Sequence, residues 1–103
     1  MTAVRSMPIR MKVYHRGKET LVAAADADLV GKTFREGKFK IEIGRFYEGD
    51  VVSEESFVSN LRLATIGNFV GRETVEAAQR AGFVSEDGIL RINGVPHAQF
   101  VLM

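Results

Sequence analysis

Ile9-Arg10-Met11-Lys12-Val13-Tyr14-His15-Arg16 alternates without a break, with Ile9, Met11, Val13 and His15 on one side and Arg10, Lys12, Tyr14 and Arg16 on the other. Successive side chains of a strand point to opposite faces, so this period of two predicts a half-buried strand with one apolar and one basic face. Gly17-Lys18 supplies a turn, and Thr20 to Ala25 returns as a strand of β-branched and small residues, completing a hairpin. Asp26 to Val30 reads as a short turn or a single helical turn capped by Asp26. A second alternation follows, Phe39, Ile41 and Ile43 against Lys38, Lys40 and Glu42, and predicts a strand in the same sheet.

The period changes at Ser53. Phe57, Val58, Leu61, Ala64 and Thr65 form a stripe at helical spacing, with Ser53 as N-cap and Glu54 and Glu55 suited to the positive helix start. Gly67 then reads as a left-handed C-cap and Asn68 as the N-cap of a second helix, striped by Val70, Thr74, Ala77, Ala78 and Ala81 and closed by Gly82. The two helices would form an α–α corner. Asn93-Gly94, between Ile89–Ile92 and Val95–Leu102, is a hairpin turn because both its positions favour positive φ. A two-residue turn sets the register: Ile92 faces Val95, Arg91 faces Pro96 and Leu90 faces His97. Pro96 lacks an N–H, which predicts an edge strand there. The expected fold is α+β, an antiparallel sheet built from N-terminal and C-terminal hairpins plus a central strand, with two helices packed on one face.

A chain of 103 residues suits one domain, expected here over residues 9–103 behind a flexible leader at 1–8. Met7 and Met11 offer alternative starts, which makes that leader dispensable. Fourteen Lys and Arg against 13 Asp and Glu leave a net charge of +1, too balanced for a histone-like wrapper or an acidic tail. No stretch approaches the ~18 apolar residues of a membrane span, so no membrane partner is expected. No signal-peptide core is present, so a cytoplasmic location is expected. The absence of cysteine excludes disulfides, thiol nucleophiles and iron–sulfur ligation.

Four segments taken together resemble a known family: Met11-Lys12-Val13-Tyr14, the run Leu29 to Lys38, the run Ala64 to Gly71 (Ala-Thr-Ile-Gly-Asn-Phe-Val-Gly), and Arg91-Ile92-Asn93-Gly94-Val95-Pro96-His97-Ala98-Gln99. The chain from Met11 onward is similar to the archaeal family filed as domain of unknown function number 424. That resemblance implies an archaeal cytoplasmic protein and carries over no catalytic residue, so function has to be argued from the residues themselves.

Gly31-Lys32-Thr33 has the ending of a phosphate-binding loop, but such a loop needs a glycine five residues before its Gly-Lys pair, and that position is Asp26. A turn is the better account. Charge is unevenly distributed: Arg5 to Lys18 holds five basic and no acidic residues, and Lys32 to Arg45 five basic and two acidic, whereas four basic and six acidic lie from Ser53 onward. If the two alternating strands share a sheet, Arg10, Lys12, Arg16, Lys32, Arg35, Lys38 and Lys40 project from one face with Tyr14 among them. Cations neutralise phosphates and a ring stacks on unpaired bases, which suits RNA. The plainer account is a face kept soluble by charge. Gly67 to Arg72, with Asn68, Gly71 and Arg72, reads either as an anion site at a helix start or as an interhelical turn. His97 and Gln99 interrupt an apolar face and are either pocket residues or structural hydrogen-bonding groups.

No histidine–carboxylate cluster has metal-ligand spacing, no serine has a recognisable base, and no cofactor motif survives. The sequence therefore points to a binding module, first for RNA or a ribonucleoprotein through the basic sheet face. Second comes a protein-interaction or homodimer module presenting Phe100, Leu102 and the edge near Pro96. An enzyme with a pocket of Asn68, His97 and Gln99 is the third and least supported choice.

Overall fold

A computed structural model describes residues 8–102. β1 (Ile9–Arg16) and β2 (Glu19–Asp26) form the expected hairpin, pairing Ile9 with Asp26 and Arg16 with Glu19. β3 (Thr33–Glu36) and β4 (Phe39–Glu42) pair with each other, and β5 (Asp50–Val52) then runs antiparallel to the start of β1. α1 (Glu54–Leu61), β6 (Ile66–Val70), α2 (Arg72–Arg80), β7 (Leu90–Ile92) and β8 (Val95–Val101) complete the chain. Single 3-10 turns occupy Ala27–Leu29, Arg45–Tyr47 and Glu86–Gly88. The leader expected at residues 1–8 lies, apart from Pro8, outside the described residues.

Six strands make the main sheet in the order β5-β1-β2-β6-β8-β7, with only β2 and β6 parallel. Both expected hairpins are present, and the C-terminal one has the register read from its turn: Ile92 opposite Val95, Arg91 opposite Pro96, Leu90 opposite His97. α1 and α2 pack on one face, where Phe57, Leu61, Val75 and Ala78 meet Met11, Val22, Ala24, Phe69 and Ala98. Ser53 caps α1 as expected, its hydroxyl accepting from the Ser56 N–H at 3.0 Å.

Three expectations need correction. The strand between the hairpins is β6, not residues 38–43. β3 and β4 form a separate two-stranded sheet that lays Phe34 and Ile41 over Ala23, Ala25, Val70 and Ile92 on the second face. The two strands pair only with each other, and the hairpin acts as a lid that buries Ile41 against the main sheet.

Gly67 and Asn68 are neither caps nor part of an α–α corner, because a strand separates the two helices. Gly67 is small for another reason. A Cβ there would run into the rings of Phe69 and Phe100, which stack over it with centroids 6.0 Å apart. α2 starts after Gly71, whose φ of 104° lies in the region glycine tolerates.

Finally, β8 is interior where Pro96 was expected to mark an edge. Pro96 pairs with β7 just where β6 ends, and its carbonyl accepts from the Gly71 N–H at 2.9 Å. The missing proline N–H therefore falls beyond the last residue of β6.

Candidate functional site

The strand registers define rows of side chains across the second face. One row runs Arg10, Ala25, Val70, His97, Leu90; the next Lys12, Ala23, Asn68, Gln99; the third Tyr14, Leu21, Ile66, Val101. The β3–β4 lid covers the apolar part of the first row, and the Arg45–Tyr47 turn covers the middle of the second. The third row stays largely open.

Tyr47 anchors the turn. It is buried, and its hydroxyl donates to Asn68 Oδ1 at 3.0 Å, while His97 Nε2 donates to the same oxygen at 2.9 Å. A carbonyl oxygen only accepts, so His97 carries its proton on Nε2. Burial lowers the His97 pKa below its ordinary 6.5 and pushes the Tyr47 phenol up to about 12, so both are neutral near pH 7. Asn68 and His97, expected as pocket residues, are thus brought together, but as part of a brace that ties a loop to the sheet. Gln99 stands beside Asn68 in the row and is exposed.

Beyond the brace, Phe46 stacks on Tyr14 with ring centroids 5.2 Å apart and an interplanar angle of 18°. The Tyr14 hydroxyl donates to the Phe46 carbonyl at 2.9 Å, and Lys12 Nζ sits 5.4 Å from the Tyr14 ring centroid. An open, largely apolar groove of about 450 Å³ runs beside this pair, with Leu21 and Ile66 among its lining and Arg16 and Glu19 at one end. Tyr14 is therefore not a free stacking platform, because Phe46 already lies against it. The pair as a unit forms an aromatic flank, with Phe46 38 % exposed.

The cations do not share one sheet as the two alternations suggested. Arg10, Lys12 and Arg16 belong to the second face of the main sheet, and Arg10 Nε is tied to the Gly49 carbonyl at 2.9 Å. Arg35 and Lys40 lie opposite each other on the lid, on the side turned away from half-buried Phe34 and buried Ile41; Lys32 and Lys38 are exposed in its flanking turns. The reason is the lid's burial pattern: with Ile41 and Ile43 turned inward, the alternating cations must turn outward. Ion pairing differs between the two halves. Arg72, Arg80 and Arg91 each pair with a glutamate, at 3.4, 2.7 and 3.0 Å. Of the cations just named from β1 and the lid, only Lys40 is paired, with Glu42 at 2.6 Å, among the described residues.

Asn68, Gly71 and Arg72, expected as an anion site at a helix start, are divided: Asn68 lies in β6, Gly71 precedes α2 and Arg72 opens it. Two of the free N–H groups of α2 are already taken. Asp26 accepts from the Glu73 and Thr74 N–H groups at 3.1 and 2.9 Å and from the Thr74 hydroxyl at 2.7 Å. A carboxylate so placed repels a second anion, while Arg72 points into solvent and pairs with Glu76. Sequence reasoning missed this long-range cap, having given Asp26 to its own turn, where it makes no side-chain cap bond. It also missed Phe46 and Tyr47, whose one signal was two adjacent aromatics in a stretch without periodicity. No cluster of three metal-ligating side chains occurs among the described residues, and no helix there is long and apolar enough to cross a membrane.

A crystal structure of an uncharacterized conserved protein from Methanopyrus kandleri is similar to this one, with a TM-score of 0.80 and 23% sequence identity over 93% of this chain and 92% of that one. That likeness shows the fold. No curated protein matches. The model of the family described as "Protein of unknown function (DUF424)" matches residues 14–103. The chain belongs to that family.

Proposed function

We propose that this protein binds single-stranded RNA, alone or within a ribonucleoprotein, through the second face of its sheet. The observation that carries the proposal is the combination in the third row: an aromatic flank of Tyr14 and Phe46 beside an open apolar groove, with unpaired Lys12 and Arg16 next to it. Unpaired bases present flat apolar faces that such a groove accepts, and phosphates are held by cations that no carboxylate has already neutralised. Arg10, Lys32, Arg35, Lys38 and Lys40 provide a second bank of charge around the lid for a strand that extends past the groove.

Titration of a fluorescent oligouridylate, watched by anisotropy over a salt series, tests this. Binding should weaken steeply with salt, because each neutralised phosphate releases counterions. Lys12→Glu with Arg16→Glu should lower affinity by about tenfold or more and flatten the salt slope by about two. Phe46→Ala should weaken binding by about 1–3 kcal/mol with the slope unchanged, as expected for a lost stacking contact. Binding that is indifferent to all three substitutions would remove the proposal.

A further inference from the structure

Backbone hydrogen bonding along β8 alternates between its two neighbours, as in any antiparallel ladder. The Gly71 N–H donates to the Pro96 carbonyl and the Leu102 N–H to the Thr65 carbonyl at 2.7 Å, so even-numbered residues of β8 bond toward β6. Odd-numbered residues therefore point their N–H and C=O groups the other way. Val95 and His97 meet Ile92 and Leu90 of β7, and there β7 ends. Gln99 and Val101 have no strand opposite them among the described residues. The sheet edge is thus open from Ala98 to Leu102.

Open edges are usually protected by charge. β1 follows that pattern: β5 covers only Ile9 to Met11, and the uncovered remainder carries Lys12 and Arg16. The open part of β8 has no charged residue, and Val101 and Leu102 are 59 % and 68 % exposed. Its backbone is held in place from the helix side, where Phe100 packs on Phe69 and Phe83 with centroids 6.0 and 5.3 Å away. A shallow groove of about 340 Å³ lies at the start of this stretch, beside His97, Ala98 and Gln99, with Gly88 and Leu90 in its lining.

We infer that a second copy of this chain fills that edge, the two β8 strands pairing antiparallel about a two-fold axis beside Phe100. The open stretch is five residues long and centred on Phe100, so this axis uses all of it in both copies. Gln99 then faces Val101 of the second copy, and Val101 faces its Gln99, closing four backbone hydrogen bonds into one continuous sheet. Two uncharged edges meet without like-charge repulsion, whereas a charged peptide would find nothing there to pair with.

Sedimentation over a dilution series should show a monomer–dimer equilibrium. Val101→Glu should raise the dissociation constant by about tenfold or more, with an unchanged far-ultraviolet circular dichroism spectrum, since Val101 is exposed. The chain has no cysteine of its own, so single-cysteine variants report the register. Oxidising Gln99→Cys mixed with Val101→Cys should give the mixed disulfide, because directly opposed residues lie about 5.5 Å apart. Either variant alone should cross-link poorly, its two cysteines lying beyond the roughly 7 Å that a disulfide spans. A monomer throughout the series, a dimer untouched by Val101→Glu, or equal cross-linking of mixed and single variants would each overturn the inference.

Discussion

Asp26 shows how much one side chain does in this chain. It ends β2, and from there its carboxylate crosses to the start of α2 and satisfies two backbone N–H groups and the fully buried Thr74 hydroxyl. Gly71 must be glycine for the same reason, since a Cβ there would meet the carboxylate. Asp26→Ala should cost about 2 kcal/mol in urea unfolding, the loss of a cap together with an unsatisfied buried hydroxyl. Asp26→Asn keeps an acceptor and should cost less. His97 gives a pH signature. Its folded pKa lies below its ordinary 6.5, so the stability it supports is complete above that value and is lost as pH falls through the folded pKa. The thermal midpoint of the wild type should therefore fall more steeply on acidification below about pH 6.5 than that of His97→Gln. Equal slopes would mean that His97 is not buried in its neutral form.

At the level of elements, the sequence was most legible where local chemistry decides the outcome. Asn93-Gly94 fixed a turn and with it the pairing of Ile92, Arg91 and Leu90, and Ser53 fixed the start of α1. Legibility failed at β6. Ile66, Asn68 and Val70 alternate with Gly67 and Phe69, a strand pattern, but only five residues long and containing two cap-type residues. What makes Gly67-Asn68 strand residues is non-local: two phenylalanine rings lie over the glycine, and Tyr47 and His97 bond the asparagine. Gly67→Ala should therefore destabilise by about 1–3 kcal/mol, the cost of overpacking, rather than show the mild effect of a glycine change in an open turn. Phe57→Ala, which empties the contact between α1 and Phe69 at a centroid distance of 5.5 Å, should cost about 3–5 kcal/mol.

Across the whole molecule, near-neutral composition conceals two unlike sides. The helix face carries arginines paired with glutamates, while the other face carries Lys12 and Arg16, unpaired among the described residues, beside an aromatic groove. The charge asymmetry was visible in the order of residues along the chain. Its geometry was not, because periodicity reports which face a side chain takes within a strand but not which sheet the strand joins. The lid made of β3 and β4 separates cations that the alternation alone had put together, and the groove it leaves open is lined by Phe46 from a turn with no pattern. Arg80→Glu on the helix side reverses a charge of similar exposure and should leave RNA affinity within about twofold of wild type, a control for net charge alone.

The most direct test is a backbone amide NMR map of the protein titrated with an unstructured oligouridylate. Shifts should concentrate at Tyr14, Arg16, Leu21, Phe46 and Ile66, weaken across the lid, and leave α1 and α2 unmoved. Shifts centred on the helices, or none at saturating oligonucleotide, would contradict the assignment of the groove side as the binding face.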